Sequence, residues 1–159
     1  LNNPYTGAAA IFCSAIKNDT PPLIYEDGNQ RRDFIHVRDL VRGKLLLLDH
    51  PDANDDIFNI GTGKPSSILD LAETLIELCG KNFSPDIIYK FRNGDIRDCY
   101  ADISKIKALG FAPELSLREG LKDLIAWSDS QEAVSRVGDA HQKLVEKGLV
   151  LETQPVTSK

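Results

Sequence analysis

Short apolar runs alternate along this chain with longer stretches in which apolar residues recur every three or four positions, and Gly, Pro and Asn-Gly punctuation separates the two kinds. That alternation constrains the fold more than any other feature, because runs of the first kind lie in sheets and runs of the second form helices that cover them. The expected class is α/β. A helix is predicted over 8–18, with Ala9, Phe12, Cys13 and Ile16 on one face, and Pro21-Pro22 ends it. Strand 23–25 follows, then a turn at 26–29 and a second strand over 33–37. That strand leads into a leucine-rich helix from about Asp39, its expected cap, to Leu48. A polar loop over 51–56 precedes a short buried strand at 57–60 and a turn at 61–65.

The next helix is predicted over 68–79, with Ser67 at the N-cap, Asp70 three residues on and Gly80 as the stop. Its apolar face is Ile68, Leu71, Ala72, Leu75 and Leu78. Strand 86–90, a loop over 91–97 around Asn93-Gly94 and an extended stretch at 99–101 come next. Asp102 is expected to cap a short helix ending at Gly110. Ser116 and Glu119 have capping-box spacing for a helix to about Trp127. A last helix is predicted over 130–147, with Val134, Val137, His141 and Leu144 on one side, and the tail from Glu152 is expected to be disordered. The domain reading is 1–131 as one unit, 132–151 as a helical extension and 152–159 as a tail.

Composition removes several function classes. The 159 residues suit one domain with its own core. A formal net charge of -5 speaks against a nucleic-acid footprint, so any anion site must be local, built from a few placed arginines. No unbroken apolar run, the leucine run 45–48 included, approaches the roughly 20 residues of a membrane span. The first residues are polar and include a proline, unlike a secretory signal. Cys13, Cys79 and Cys99 are widely spaced, which suggests reduced thiols in a cytoplasmic protein rather than a disulfide framework. With three scattered histidines, no metal site is expected. The chain contains no methionine and opens on Leu1-Asn2-Asn3-Pro4-Tyr5-Thr6-Gly7, which reads like the middle of a loop. The expectation is that the N-terminal part of a longer protein precedes it, with a processed or tag-cleaved chain as the alternative.

Three stretches could carry chemistry. Gly61-x-Gly63-x-x-Ser66 lies between a predicted strand and a helix, where backbone amides could face a phosphate. Pro65 removes one amide, a serine replaces the third glycine, and no acidic residue ends a following strand to hold a ribose, so a tight strand-to-helix turn is preferred. Arg31-Arg32-Asp33-Phe34-Ile35-His36-Val37 offers a guanidinium fork suited to phosphate oxygens, although a lone arginine there reads first as solvated. His36 reads as a satisfied core or edge histidine. Arg92-Asn93-Gly94-Asp95 is either a plain turn or a loop with Arg92 on a phosphate and Asp95 on a hydroxyl, and spacing leaves both open. No tyrosine has a lysine four residues later, and no nucleophile elbow or His-Glu metal motif is present.

In order, the chain reads Asn-Pro-Tyr-Thr-Gly, Pro-Leu-Ile-Tyr-Glu-Asp-Gly, Arg-Asp-Phe-Ile-His-Val-Arg-Asp-Leu, Phe-Asn-Ile-Gly-Thr-Gly, Arg-x-Gly-Asp and Ala-Asp-Ile-Ser-Lys, followed by Leu-Gly-Phe-x-Pro and a capped helix. From Leu1 to about Gln131 this resembles the C-terminal, substrate-binding half of the extended short-chain dehydrogenase/reductases. The likeness is greatest to UDP-glucose 4-epimerases, with dTDP-glucose 4,6-dehydratases and UDP-glucuronate decarboxylases nearby.

The resemblance implies a Rossmann NAD-binding half that this chain lacks, with its glycine-rich loop and Tyr-x-x-x-Lys pair. It implies NAD in the full-length parent and none for this fragment. Arg32 and Arg92 would clamp the two phosphates of a UDP- or TDP-sugar, Asp95 would accept from a ribose hydroxyl, and Leu23 and Tyr25 would flank the base. Thr6, Gly7 and Ala8 would lie near the sugar and pyrophosphate. Many epimerases have asparagine and leucine at those last positions. Phe34 stands where some relatives have tyrosine, which removes one hydroxyl contact. In the complete enzyme the resemblance implies transient oxidation of the sugar at C4 by NAD, with a tyrosine outside this chain as base. The fragment alone is then expected to bind without turnover, with no catalytic residue of its own. A non-catalytic interaction module, self-associating through the surface a missing Rossmann half leaves bare, is the rival expectation. A dinucleotide domain using Gly61 and Gly63 is the third.

Overall fold

The computed structural model describes residues 7–92, 94–130, 142 and 145–152. Among the described residues, five helices of five residues or more stand among strands of two or three residues each. In chain order they are α1 (Ala8–Lys17), β1 (Leu23–Ile24), β2 (Arg31–Arg32), α2 (Val37–Asp49), β3 (Ser66–Ser67), α3 (Ile68–Leu78), β4 (Asp86–Ile87), β5 (Lys90–Arg92), β6 (Asp98–Cys99), α4 (Ser104–Ala108), α5 (Leu117–Ser128) and β7 (Val150–Glu152). A 3-10 turn, Pro51–Ala53, follows α2. β1 pairs in parallel with β4, Leu23 opposite Asp86. β2 is the centre of a three-stranded sheet, antiparallel to β3 and parallel to β6. β5 and β7 form an antiparallel ribbon. The α/β class stands.

Two caps set the main helices. In α3 the Asp70 amide donates to Ser67 Oγ at 2.9 Å while the Ser67 amide donates to Asp70 Oδ2 at 3.0 Å. In α5 the Glu119 amide donates to Ser116 Oγ at 3.3 Å and the Ser116 amide to Glu119 Oε2 at 2.8 Å. Each pair satisfies helix-end donors that would otherwise have no partner. The apolar faces of α1, α3 and α5 then meet over β1, and Phe12, Ile16, Ile24, Leu71, Ala72, Leu75, Ile76 and Leu121 form the main core. A second cluster, Ile103, Ile106 and Phe111, packs with Ile35, Phe58 and Ile60.

Several expectations change. The strand expected at 33–37 is instead β2 at Arg31–Arg32, and 33–36 is irregular. The cause is Asp33, whose carboxylate turns inward to receive amides from elsewhere in the chain, described below. His36, not Asp39, caps α2, accepting the Arg38 amide on Nδ1 at 3.2 Å. Asp39 is buried instead, receiving the Glu114 and Leu115 amides at 2.9 and 3.0 Å and Arg42 Nη1 at 2.7 Å. Residues 57–60 form no strand: no described segment pairs with them, and Ile57 is 85% exposed. The strand expected at 86–90 breaks at Tyr89, whose φ of 51° turns the backbone between β4 and β5. Asp102 accepts the Ser104 amide at 2.9 Å, one residue ahead of the capping position at Ile103. Glu152, expected in a disordered tail, lies in β7 opposite Lys90. Most of the helix expected over 130–147, including Val134, Val137, His141 and Leu144, lies outside the described residues, as do Thr6 and 153–159.

Candidate functional site

β2 places two arginines side by side, and the loop after β5 closes on them. The Arg31 amide donates to the Arg97 carbonyl at 3.0 Å. Arg32 then wraps its guanidinium over the same loop: Nη1 donates to the carbonyls of Arg31 (2.8 Å) and Arg97 (3.1 Å), and Nη2 to that of Ile96 (2.6 Å). Three of the five N–H donors of the fork are spent this way, leaving Nε and one Nη2 hydrogen. The acceptors are neutral carbonyls, so these bonds orient the fork without cancelling its charge.

Its neighbours differ. Arg31 makes a bidentate pair with Asp98 at 2.8 and 3.0 Å, and its guanidinium carbon stands 5.3 Å from the centre of the Tyr100 ring. Arg97 bridges Glu26 at 2.6 Å and Asp27 at 2.6 and 2.8 Å. The Arg97 bonds hold the Asp27 carboxyl well below the usual carboxylate range, and the Asp27 and Glu26 carboxylates push the Arg97 pKa up in return. Arg31 and Arg97, with Asn29, Pro65, Ser67, Asp70 and Asp98, line a shallow polar hollow of about 440 Å³. Sequence reasoning did not single out Arg97. Its only signal there was a second arginine in the run Arg92-Asn93-Gly94-Asp95-Ile96-Arg97.

The same ties draw the base-flanking candidates in. Leu23 opens β1 and Tyr25 follows it, both half-buried. The Tyr25 carbonyl accepts Gln30 Nε2 at 2.7 Å, the Glu26 amide donates to the Lys90 carbonyl at 2.8 Å, and the Tyr89 amide to the Glu26 carbonyl at 3.2 Å. The backbone of β5 therefore lies beside the turn after Tyr25. Arg92 ends β5 opposite Val150, and its side chain lies outside the described part of the structure, as does Asn93. Gly94 turns the chain at φ 86°, and Asp95 is exposed in the same loop. The turn after Tyr25 is thus tied to the backbone of β5 and, through Arg97, to the loop that holds Arg32, while Leu23 pairs with Asp86 in β4. Gly7 and Ala8 stand apart at the start of α1, where Gly7 is the N-cap without a side-chain bond. Phe34 packs on the main core and lines an open groove of about 550 Å³ between 33–38 and α5, together with Ala9, His36, Asp123 and Trp127.

The glycine loop has a different occupant. Asp33 Oδ1 accepts the Thr62 amide at 2.8 Å and the Thr62 hydroxyl at 2.6 Å, while Oδ2 accepts the Gly63 amide at 3.2 Å and the Ala101 amide at 3.3 Å. A Cβ on Gly61 would collide with that carboxylate and with Ala101. The amides that a cofactor phosphate would need are filled by the chain's own anion, so this loop does not fit NAD, and the tight turn preferred from sequence is what forms. Among the described residues no cluster of three or more His, Cys, Asp or Glu is placed to hold a metal, and no helix is long and apolar enough to cross a membrane.

Residues 2–61 match the model of the NAD dependent epimerase/dehydratase family. A putative UDP-glucose 4-epimerase of Methanocaldococcus jannaschii is 37% identical over 122 residues, covering 76% of this chain and 38% of that protein. Among solved structures, the UDP-glucose 4-epimerase of Thermotoga maritima with UDP-glucose aligns with a TM-score of 0.72 at 34% identity, over 82% of this chain and 42% of that one. The chain belongs to the NAD dependent epimerase/dehydratase family. A further family structure, the UDP-glucuronic acid 4-epimerase of Bacillus cereus in complex with UDP-glucuronic acid and NAD, aligns at 0.68 with 31% identity, over 76% of this chain and 40% of that one. This chain spans about two fifths of the length of these family members. The family-model match takes in Gly7, Ala8, Leu23, Tyr25, Arg32 and Phe34 and stops before Arg92 and Asp95.

Proposed function

We propose that this chain holds the nucleotide diphosphate of a UDP- or TDP-sugar, as the substrate-binding part of an NAD-dependent nucleotide-sugar 4-epimerase. The geometry of Arg32 carries the reading. Its charge is not neutralised by any carboxylate among its hydrogen-bond partners, its fork is fixed by three carbonyls, and the loop that fixes it begins at Arg92. Ile96 is four residues beyond Arg92, so the two α-carbons are no more than about 14 Å apart. Since the Arg32 fork is seated on the Ile96 carbonyl, a guanidinium at Arg92 could converge with it on one pyrophosphate. Asp95 would then accept from the ribose, and Leu23 and Tyr25 would flank the base. Gly7 and Ala8 would lie towards the sugar, with Phe34 apolar where a tyrosine would add a hydroxyl. Dehydration or decarboxylation of the same class of substrate is the alternative chemistry.

NAD belongs to the parent protein in this proposal, and no described residue of this chain is assigned to it. The 159 residues alone would bind without turnover. The three unpaired cysteines suit a cytoplasmic setting. The interaction reading has its own support in α2. Val37, Val41, Leu45 and Leu48 run along the helix at 63, 47, 53 and 79% exposure, and Ile57 adds to the bare apolar surface. We infer that a Rossmann part covers this face in the parent, and that a second copy competes for it when the chain is alone.

Titration with UDP, TDP, UMP and uridine tests the binding claim. Stabilisation by UDP or TDP should reach about 2.7 kcal/mol at a hundred times Kd. Arg32→Ala or Arg92→Ala should each weaken UDP about tenfold or more, since one charge-assisted bond contributes about 1.5–3 kcal/mol. Uridine binding as tightly as UDP would remove the diphosphate claim. Conversion of UDP-glucose to UDP-galactose by the chain with added NAD would remove the claim of no turnover.

A further inference from the structure

We propose that the strand Val150–Glu152 is a positioning element of the diphosphate site, fixing the backbone from which Arg92 projects. The proposal rests on the nucleotide-diphosphate reading above. β5 and β7 form a ribbon of their own, with Lys90 opposite Glu152, Phe91 opposite Leu151 and Arg92 opposite Val150. Among the described residues β5 has no other strand neighbour. Its remaining backbone tie is at the near end, where the Lys90 carbonyl accepts the Glu26 amide. At the other end lies open loop: Gly94 has φ 86°, a Cβ built on it would meet nothing within 4 Å, and Gly94 and Asp95 are exposed. Further on, the carbonyls of Ile96 and Arg97 receive Arg32.

Arg92 is therefore the last residue of this ribbon, and Val150 is the residue that faces it directly. Half-buried Phe91 opposite Leu151 supplies an apolar cross-strand pair that holds the ribbon together. Without β7, the backbone from Lys90 to Arg92 would lose its partner on that edge, and Arg92 would have to be ordered when the ligand binds. Each residue left to order at that moment costs about tenfold in affinity. The cost falls mainly on the diphosphate, because the base-flanking residues Leu23 and Tyr25 are held separately by β1 and by Gln30.

The test compares the full chain, a chain ending at Gly148 and the full-length Leu151→Pro variant. Proline there removes a backbone donor from the ribbon without shortening the protein. UDP and uridine are titrated by NMR, and amide hydrogen exchange is followed at Lys90–Arg92. The expected result is faster exchange at these amides, UDP weakened at least about tenfold, uridine weakened clearly less than UDP and the melting of the helical core retained. A chain ending at Gly148 that binds UDP as tightly as the full chain overturns the proposal. So does an equal loss of UDP and uridine in both variants, which would mark β7 as merely structural. A full chain that fails to distinguish UDP from uridine removes the diphosphate reading itself, and the strand's role falls with it.

Discussion

Replacing Asp33 by alanine should cost more than any other single substitution in the loops around β2. Its carboxylate gathers the Thr62, Gly63 and Ala101 amides and the Thr62 hydroxyl at 2.6 to 3.3 Å, tying the glycine turn and the residues after β6 to the end of β2. A hydrogen bond to a charged acceptor contributes about 1.5–3 kcal/mol, and a stranded buried donor costs about 1–3 kcal/mol. The four bonds share one acceptor and the Gly63 amide is exposed enough for water to replace part of the loss, so the sum is well below four times either figure. The expected loss is about 3–5 kcal/mol, a large part of the 5–15 kcal/mol that holds a typical domain together. Urea denaturation with a fitted midpoint and slope measures it. Asp33→Asn should lose nearly as much, because its NH₂ group presents a donor where the turn already presents donors. The same variants probe the turn as an anion cradle: with the carboxylate gone, inorganic phosphate should restore more stability to Asp33→Ala than it adds to the unsubstituted chain. A loss below about 1 kcal/mol in Asp33→Ala would refute the claim that this carboxylate organises the turn.

Asp39→Ala should lose about 2–4 kcal/mol in the same assay, because the Glu114 and Leu115 amides and Arg42 lose their shared acceptor. Burial pushes the Asp39 carboxyl up, but those amides and Arg42 outweigh it and hold the pKa below its ordinary 3.8. Its contribution should therefore be complete above about pH 4 and fade as pH falls through the lower folded value, a loss that acid titration of Asp39→Ala should not show. Ser67→Ala should cost about 1 kcal/mol through the opened capping box of α3, read from the urea midpoint. Leu45→Glu with Leu48→Glu should leave the fold intact while lowering self-association in sedimentation velocity, since both side chains stand on the bare face of α2.

The helices and their caps were legible because their signals are local. Ser67 with Asp70, Ser116 with Glu119, and Gly80 at φ 64° each act within a few residues of where they stand. The strands were less so. A run such as Asp33-Phe34-Ile35-His36-Val37 has the alternation of a strand, but Asp33 is drawn towards amides 29 to 68 residues away and His36 is taken by a helix end. Residues 57–60 have the composition of a buried strand, and composition cannot supply a neighbour to pair with. β7 escaped notice for the converse reason: Val150-Leu151-Glu152 is short and ordinary, and only its distant partner Lys90–Arg92 makes it a strand. At the site, Arg32 and the loop from Arg92 were marked by the resemblance. Arg97 was not, since its role lies in pairing with Glu26 and Asp27 some 70 residues earlier.

Charge accounting around β2 makes one last prediction that runs opposite to ordinary loss of function. Three arginines crowd together, yet Arg97 faces Glu26 and Asp27, Arg31 faces Asp98, and only Arg32 is held by carbonyls alone. The three arginines and these three carboxylates cancel in sum, so what an anion meets at β2 is the uncompensated fork of Arg32 itself, plus whatever Arg92 adds. Asp98→Asn removes a negative charge next to Arg32, keeps an acceptor for the Arg31 fork and leaves Arg31 uncompensated. If the diphosphate sits at Arg32, UDP should bind severalfold more tightly to this variant at low salt, and the gain should shrink as the Debye length falls from about 10 Å at 0.1 M to about 3 Å at 1 M. Uridine should not respond. Calorimetric titration at two salt concentrations decides it: unchanged or weaker UDP binding at low salt, with melting unaltered, would move the anion site away from β2.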